Sequence, residues 1–567
     1  MTFVVESPNP SRALPPLALA TKATVCSPQK AYDHPIPPAS FGFRSTGRGW
    51  PDRTVRARDL RPEIISNSLS LRSPRILRTL FGTQSLDYSE EMVQRVRRAV
   101  APFPCSFLRL VAISITFIFC FGFGSAFLSG ADGSPQFGYG GSPIALSLQG
   151  QSPIASVART YFGMHIHNLA AGNRTPPARI TVFPPFSFAT FRLWDVTPWA
   201  EIESSPGSFN WTKLDGTITA AAANGVTDFV FTFGNVPPWA SSSPTGSCKT
   251  APAGTCYPPA KLADFDTFAT QLVQRYCGVI QYYETWNEPS IPDFWAGTQA
   301  QLLTLTQHMY RIVKDPANCG CGHNVCAPRG GANPNKVLLP SINSPVQSDA
   351  QQWLKQWLAL AGRPYPYADI ATFHGYGYTE NPEAIYFGVA SMRATLAKSG
   401  LGNAELWNTE ASWSPLRGPV TQLWEASWLM RYHIMQAAAG VSRFIWYAYD
   451  NCAWGTLLGA ACGATPDHWT GIRAAGNAYP VVEKWLIGAT VPYCEAHVDG
   501  IWACKLTRPH GYVGWAVWNI KGTSSNLPVP GNWGLVQYRD WENSKHPLGR
   551  SVPVDQMPVL LENKDGF

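Results

Sequence analysis

Two glutamates stand where chemistry is possible, Glu288 in Gln281–Ser290 (QYYETWNEPS) and Glu410 in Ala404–Trp413 (AELWNTEASW). In the first stretch Tyr282, Tyr283, Thr285 and Trp286 favour a strand after the apolar pair Val279–Ile280, and Asn287–Glu288–Pro289 ends it. The second is another strand-like run, ending in Asn408–Thr409–Glu410. A single Glu at a strand end is ordinarily a solvated charge. Here Asn287 offers an amide to a sugar hydroxyl, and Trp286 offers apolar surface, beside which a carboxylic acid has its pKa raised towards acid catalysis. Two carboxylates on two strands are the requirement of glycoside hydrolysis, in which one protonates the leaving oxygen and the other attacks or activates water.

Residues so far apart in the chain can meet only if a closed fold brings them together. Strand-like runs occur near Tyr161–His167, Ala189–Trp194, Asp228–Phe233, Val279–Trp286, Lys336–Ile342, Ile370–His374, Glu405–Thr409 and Arg443–Tyr449. Helix candidates lie between them, at Lys213–Asn224, Lys261–Tyr276, Thr298–Lys314, Asp349–Ala361, Glu383–Ser399 and Thr421–Ala439, with Gly476–Gly488 after the last strand. Eight alternations predict an α/β fold, a (β/α)8 TIM barrel over residues 158–490 with reacting groups at the carboxyl ends of its strands. From Val491 the pattern changes to alternating residues with turns at Asp499–Gly500 and His510–Gly511, so residues 491–567 read as a small C-terminal antiparallel β domain. It is expected to brace the barrel, sugar binding being the alternative.

The motif WNEP, followed by a later strand ending in Glu, resembles clan A of the glycoside hydrolases. Further pieces are FGMHIHN at Phe162–Asn168, FATFRLWD at Phe188–Asp195, FTFGNVPPWAS at Phe231–Ser241 and FHGYGY at Phe373–Tyr378. As an ordered set they are similar to glycoside hydrolase family 39, which includes β-xylosidases, α-L-iduronidases and enzymes that cut bacterial exopolysaccharides. The likeness runs from about Tyr161 to Val491. It implies a retaining mechanism with Glu288 on strand 4 as acid/base and Glu410 on strand 7 as nucleophile. Arg192 then corresponds to the clan arginine that supports the nucleophile, against the plainer reading of an ion pair with Asp195. His374 or Tyr376 would hydrogen-bond Glu410 or the sugar. His165 and His167, alternate residues of strand 1, face one side and are expected to meet hydroxyls, since a metal would lack a third ligand of obvious placement. Trp239 and Trp446 are candidate sugar platforms or core residues.

The expected activity is that of a β-xylosidase-like retaining hydrolase, with an endo-acting polysaccharide hydrolase as the alternative and a non-catalytic sugar-binding barrel as the weaker one. No cofactor or metal is expected, because the sequence holds no H-E-x-x-H, no P-loop and no G-x-G-x-x-G before a helix. A nucleophile elbow is also lacking. The partner is an oligosaccharide or polysaccharide. Nucleic acid is not expected, because the net charge of +7 resides in the first 131 residues and the remainder is near neutral. An oligomeric state is not set by the sequence.

Residues 1–109 are basic and rich in Pro, Ser and Arg, which predicts disorder. Residues 110–131 carry an apolar core, Leu110–Phe123, preceded by Arg95, Arg97, Arg98 and Arg109 and followed by small residues. That order is a secretory signal, placed as though Met92 were the true start, or alternatively an uncleaved anchor that would hold the protein at a membrane. Residues 132–157 read as a Gly- and Ser-rich linker with one strand at Ile144–Leu148. Export is expected, and the cysteines agree. Thirteen are present, and beyond Cys26, Cys105 and Cys120 they pair naturally as Cys248/Cys256, Cys452/Cys462 and Cys494/Cys504, with Cys277, Cys319, Cys321 and Cys326 forming two further bridges. A zinc site around Cys319–Cys326, including His323, is the alternative.

Overall fold

Eight short parallel strands close into a ring in the computed structural model, β2 (Phe162–Met164), β3 (Thr190–Arg192), β4 (Asp228–Thr232), β5 (Ile280–Glu284), β6 (Lys336–Leu338), β7 (Ile370–His374), β8 (Glu405–Ala411) and β9 (Arg443–Trp446). Each falls within, or overlaps, one of the eight runs expected from sequence. The structure describes Phe137, residues 144–149 and residues 156–567, except 168, 170–181, 320–332, 364, 377–380, 414–419, 452–453, 460–470 and 530. The leader with Met92, Cys26, Cys105 and Cys120, and also Cys321, His323, Cys326, Cys452 and Cys462, lie outside the described residues. Among the described residues no helix is long and apolar enough to cross a membrane.

Helices α1 (Trp199–Ile202), α2 (Thr212–Ala223), α3 (Leu262–Arg275), α4 (Gln299–Lys314), α5 (Ser348–Leu360), α6 (Ile385–Ala397), α7 (Gln422–Ala438) and α8 (Ala474–Leu486) follow the strands. Because both sides of the ring are covered, the strands read as nearly continuous apolar runs, and β3, β4, β7 and β9 are buried throughout. Inside the barrel, Val230, Leu338, Ile370, Trp407 and Ile445 fill the end nearer the strand starts. Arg443 closes that end. Its guanidinium lies 4.2 Å from the ring of Trp407 and 4.6 Å from that of Tyr282, and pairs with Asp228 at 2.9 Å. The opposite end is left for chemistry.

The C-terminal region forms a seven-stranded antiparallel-paired sheet in the order β1, β10, β11, β12, β17, β14, β15. Its members are β1 (Ile144–Gln149), β10 (Tyr493–His497), β11 (Ile501–Arg508), β12 (Tyr512–Asn519), β14 (Gln537–Arg539), β15 (Lys545–Pro547) and β17 (Val559–Glu562), and a separate pair joins β13 (Ser525–Pro528) to β16 (Ser551–Val554). The strand expected at Ile144–Leu148 within residues 132–157 is present as β1, which pairs with β10 from Ile144–His497 to Gln149–Tyr493. What the sequence did not show is its partner, a strand that follows the barrel.

One face of this sheet, carrying Trp502, Leu506, Trp518 and Leu560, joins the main barrel core. Trp518 Nε1 donates to Glu383 at 2.7 Å, and Ser427 Oγ to the Gln556 carbonyl at 2.6 Å. Helix α7 is therefore covered on both sides, which explains why it has no polar stripe: Trp428, Arg431, His433 and Gln436 are all buried. The brace expected from sequence has a physical counterpart in this packing.

Among the described residues there are three disulfides, Cys248–Cys256, Cys277–Cys319 and Cys494–Cys504. Two are the expected neighbour pairs. The third takes Cys319 away from any zinc set and ties the residues after α3 to those after α4. That bond closes a span of 42 residues, for which chain entropy gives roughly 4 kcal/mol. Replacing Cys277 and Cys319 together by serine should lower unfolding stability by about 2–4 kcal/mol in urea titration. An unchanged midpoint, or alkylation of either thiol in the unreduced wild type, would contradict the pairing.

Candidate active site

The carboxyl ends of the strands carry a connected set of side chains, and its centre is Arg192 at the end of β3. The guanidinium is fully buried. Its Nε donates to Glu284 Oε2 at 2.7 Å, Nη1 to Glu410 Oε2 at 2.8 Å and Nη2 to Asn287 Oδ1 at 2.8 Å. The plainer sequence alternative, a pair with Asp195, is not what forms. A buried cation needs buried anions, and Glu284 at the end of β5 is the one sequence reading missed. Its Oε1 accepts from Thr409 Oγ1 at 2.8 Å and from Ser341 Oγ, and its Oε2 from Thr232 Oγ1 at 2.7 Å. Burial pushes this carboxyl up, but Arg192, His374 and the hydroxyl donors outweigh it and hold the pKa below the usual range.

Beyond Glu284 the strand pattern breaks. Glu288 has φ 39°, a left-handed conformation that costs a non-glycine residue on the order of 1–3 kcal/mol and is found where surrounding structure imposes it. Asn287 is held by Arg192, and Pro289 follows at once. The result aims Glu288 inward, where its Oε1 lies 2.7 Å from His374 Nδ1. Burial raises the pKa of Glu288 to about 7, Arg192 opposing and Glu284 adding to the shift. His374, fully buried, is lowered to about 4, burial again being the main cause, so it is neutral where Glu288 titrates.

Glu410 arrives by a different device. Opposite β7 the register passes from Phe373–Asn408 to His374–Glu410, so Thr409 is an extra residue. This bulge lets two consecutive side chains reach the barrel interior, Thr409 to Glu284 and Glu410 to Arg192. Tyr376 Oη donates to Glu410 Oε1 at 2.8 Å, so both carboxylate oxygens are engaged and its orientation is set. Gly375 between the two donors is required by space: a Cβ there would come within 2.3 Å of Asn408 Nδ2 and of Tyr432 Oη. Both residues offered by FHGYGY are thus used, His374 on Glu288 and Tyr376 on Glu410.

Oxygens of Glu288 and Glu410 and a nitrogen of His374 lie within 4.8 Å of one another. Two carboxylates and an imidazole could also ligate a cation. Arg192 already occupies the position beside Glu410 with its own positive charge, and His374 Nδ1 is turned to Glu288, so the set fits proton transfer better than a metal.

Around the pair stand His167, Tyr447 and Trp454, all partly exposed. His165 and His167 face one side, as expected, both with ring centres 5.0 Å from Tyr447. His165, however, does not reach a substrate. It is fully buried, with Nδ1 2.8 Å from Asp195 and Nε2 3.0 Å from the Thr409 carbonyl. Asp195 is pushed up by burial, but His167, His165 and Arg192 overcome this and hold it at about 2. Trp446 is also corrected. Ile445 faces the barrel interior, so by alternation Trp446 points outward to α7, where it is fully buried against Trp413 and Trp428. A ring with no exposed face is no platform. Trp239 is partly exposed, but its indole N–H donates to the Glu203 carbonyl and its ring meets Trp199, so it belongs to the wall near α1. Trp454, 4.9 Å from Tyr376 edge to face, is the aromatic that sequence reading overlooked, because nothing in its loop marks it.

Glu284→Ala would leave Arg192 buried with half its anionic partners removed. The loss expected is about 3–5 kcal/mol of stability, measured by calorimetric unfolding. A variant with the wild-type Tm would show that Arg192 is satisfied without it.

No family model matches the chain, and no curated protein matches it. Solved structures that are similar to it include a family 39 glycoside hydrolase from Bacteroides cellulosilyticus WH2, with TM-score 0.49 and 14% identity over 66% of this chain and 75% of that one. A glucosidase from Croceicoccus marinus gives TM-score 0.44 and 16% identity over 74% of this chain and 99% of that one. A glycoside hydrolase family 30 subfamily 8 xylanase from Clostridium acetobutylicum gives TM-score 0.44 and 11% identity, covering 74% and 98%.

Proposed function

We propose that the protein is a retaining glycoside hydrolase, cleaving β-linked saccharides by double displacement with Glu410 as nucleophile and Glu288 as acid/base. The observation that carries this reading is the approach of two carboxylates in unlike surroundings. Their nearest oxygens lie within 4.8 Å, a separation that matches the about 5–5.5 Å at which retaining enzymes hold the two carboxyls and falls short of the roughly 6.5–9.5 Å of inverting ones. Glu288, with a pKa of about 7, keeps a proton to give at neutral pH. Glu410, gripped by Arg192 and Tyr376, presents its carboxylate in one orientation to an anomeric carbon.

In the first step Glu410 attacks the anomeric carbon, the glycosidic bond breaks, and Glu288 protonates the departing oxygen. In the second, Glu288 as carboxylate takes a proton from water, which attacks the same carbon and releases Glu410. His374, neutral and hydrogen-bonded to Glu288, can follow both charge states because its Nδ1 can accept from the acid or, in the other tautomer, donate to the carboxylate. The amide nitrogen of Asn287, whose oxygen is held by Arg192, is the group that meets a sugar hydroxyl. His167 and Tyr447 would add hydroxyl contacts, and Trp454 an aromatic face.

We assign a β-xylosidase-like specificity, following the resemblance of the sequence motifs, and an exported protein, supported by three disulfides that form and persist in oxidising compartments. Aryl β-xylosides beside intact xylan test the first. Cleavage of polymer alone, with new internal ends, would replace it by endo action.

Removing Glu410 should abolish turnover of every substrate. Glu288→Ala should slow saccharides with poor leaving groups by about 10²–10⁴-fold and activated aryl glycosides far less. Azide should rescue Glu288→Ala to a β-glycosyl azide and Glu410→Ala to the inverted product. Opposite anomers would exchange the two roles. In the wild type, kcat/KM for unactivated saccharides should fall as pH rises through about 7, because the acid form of Glu288 is lost there. Constant activity to pH 9 would exclude Glu288 as the acid.

A further inference from the structure

The sheet that braces the barrel uses only one of its faces to do so. On the other face lie Ile501, Ala503 and Lys505 of β11 and Val513, Trp515 and Val517 of β12, alternating with the barrel-facing residues. Most of this second face is covered by β13 and β16, whose Leu527, Val552 and Val554 complete a separate core. At one end no described residue covers it, and a cavity of about 400 Å³ opens there, a size within the range of sites for small ligands.

Its lining has a particular chemistry. Trp515 and Trp533 contribute indoles, and Phe137 packs between them at 5.0 and 4.4 Å, fixing both rings while Trp533 stays partly exposed. Lys505, directly across the strand pair from Trp515, holds its ammonium 5.9 Å from that ring and forms no ion pair with a described residue. Asn532 is exposed on the rim, and its carboxamide makes no hydrogen bond to described residues; the same holds for both indole N–H groups. Rigid aromatic faces surrounded by unused donors suit a ligand with apolar C–H faces and many hydroxyls. Packing of the barrel explains none of these residues, since they lie on the face turned from it.

We infer that this cavity is a second, non-catalytic saccharide site, binding pyranose units of a glycan chain against the partly exposed ring of Trp533, with Asn532 and Lys505 on the hydroxyls. It stands apart from the site of Glu288 and Glu410 and does not require hydrolysis there.

The test is affinity electrophoresis of the full chain carrying Glu410→Ala, which prevents turnover, in gels containing water-soluble xylan or mixed-linkage β-glucan. Retardation is expected in at least one of the two, undiminished by saturating aryl β-xyloside, which fills only the site between the glutamates. Adding Trp533→Ala should weaken binding at least tenfold, and adding the exposed Asn532→Ala severalfold, with unfolding temperature monitored for both. Absence of retardation in both gels, its loss on adding the xyloside, or its persistence in both variants would overturn the proposal. A failure of the catalytic reading is seen separately, as absence of aryl glycoside turnover by the wild type, and leaves the retardation result standing.

Discussion

Everything at the open end of the barrel depends on one buried positive charge. Arg192 could not stay in the interior unpaired, and its three donor positions meet Glu284 and Asn287 from one stretch of the chain and Glu410 from another. Glu284 is in turn surrounded by hydroxyls from Thr232, Ser341 and Thr409. The guanidinium is thus both a neighbour of the proposed nucleophile Glu410 and the link that fixes β3, β5 and β8 relative to one another. A planar fork that makes several hydrogen bonds at set angles suits this task; the point charge of a lysine would hold the same anions without fixing their orientation.

The two proposed catalytic carboxylates differ because their neighbours differ. Glu410 has the cation and the tyrosine hydroxyl on its two oxygens, whereas Glu288 is buried with a neutral imidazole as its hydrogen-bond partner. Burial therefore outweighs Arg192 at Glu288, and the same loss of water that lifts its pKa lowers that of His374. The left-handed backbone at Glu288 is a local cost consistent with a residue whose position is dictated by what it faces.

Much of this was legible beforehand, and the misses have physical causes. Eight strand runs and the ends carrying Glu288 and Glu410 followed from periodicity and turn chemistry, because parallel buried strands leave a strong apolar signal. Glu284 was visible in principle: with Tyr282 inside the barrel, alternation puts Glu284 inside as well, and a carboxylate there demands a cation. Thr409 was not, since a bulge shifts pairing without leaving a mark in residue type. Trp446 shows the opposite hazard, for a shift of one residue at a strand end decides whether a ring faces the lumen or a helix.

Strand β1 precedes the barrel and pairs with β10, which follows it. At the seam the Val157 N–H donates to the Ala489 carbonyl and the Gly488 N–H to the Val157 carbonyl, both at 2.8 Å. The barrel is therefore an insertion into the sheet, with entry and exit clasped at one point like a loop drawn through a buckle. Closing that loop spans more than three hundred residues, so the sheet's edge cannot be completed until the barrel has brought its own ends together. A barrel cut free of β1 would leave β10 with bare backbone donors and acceptors along one edge, a template for pairing with another chain.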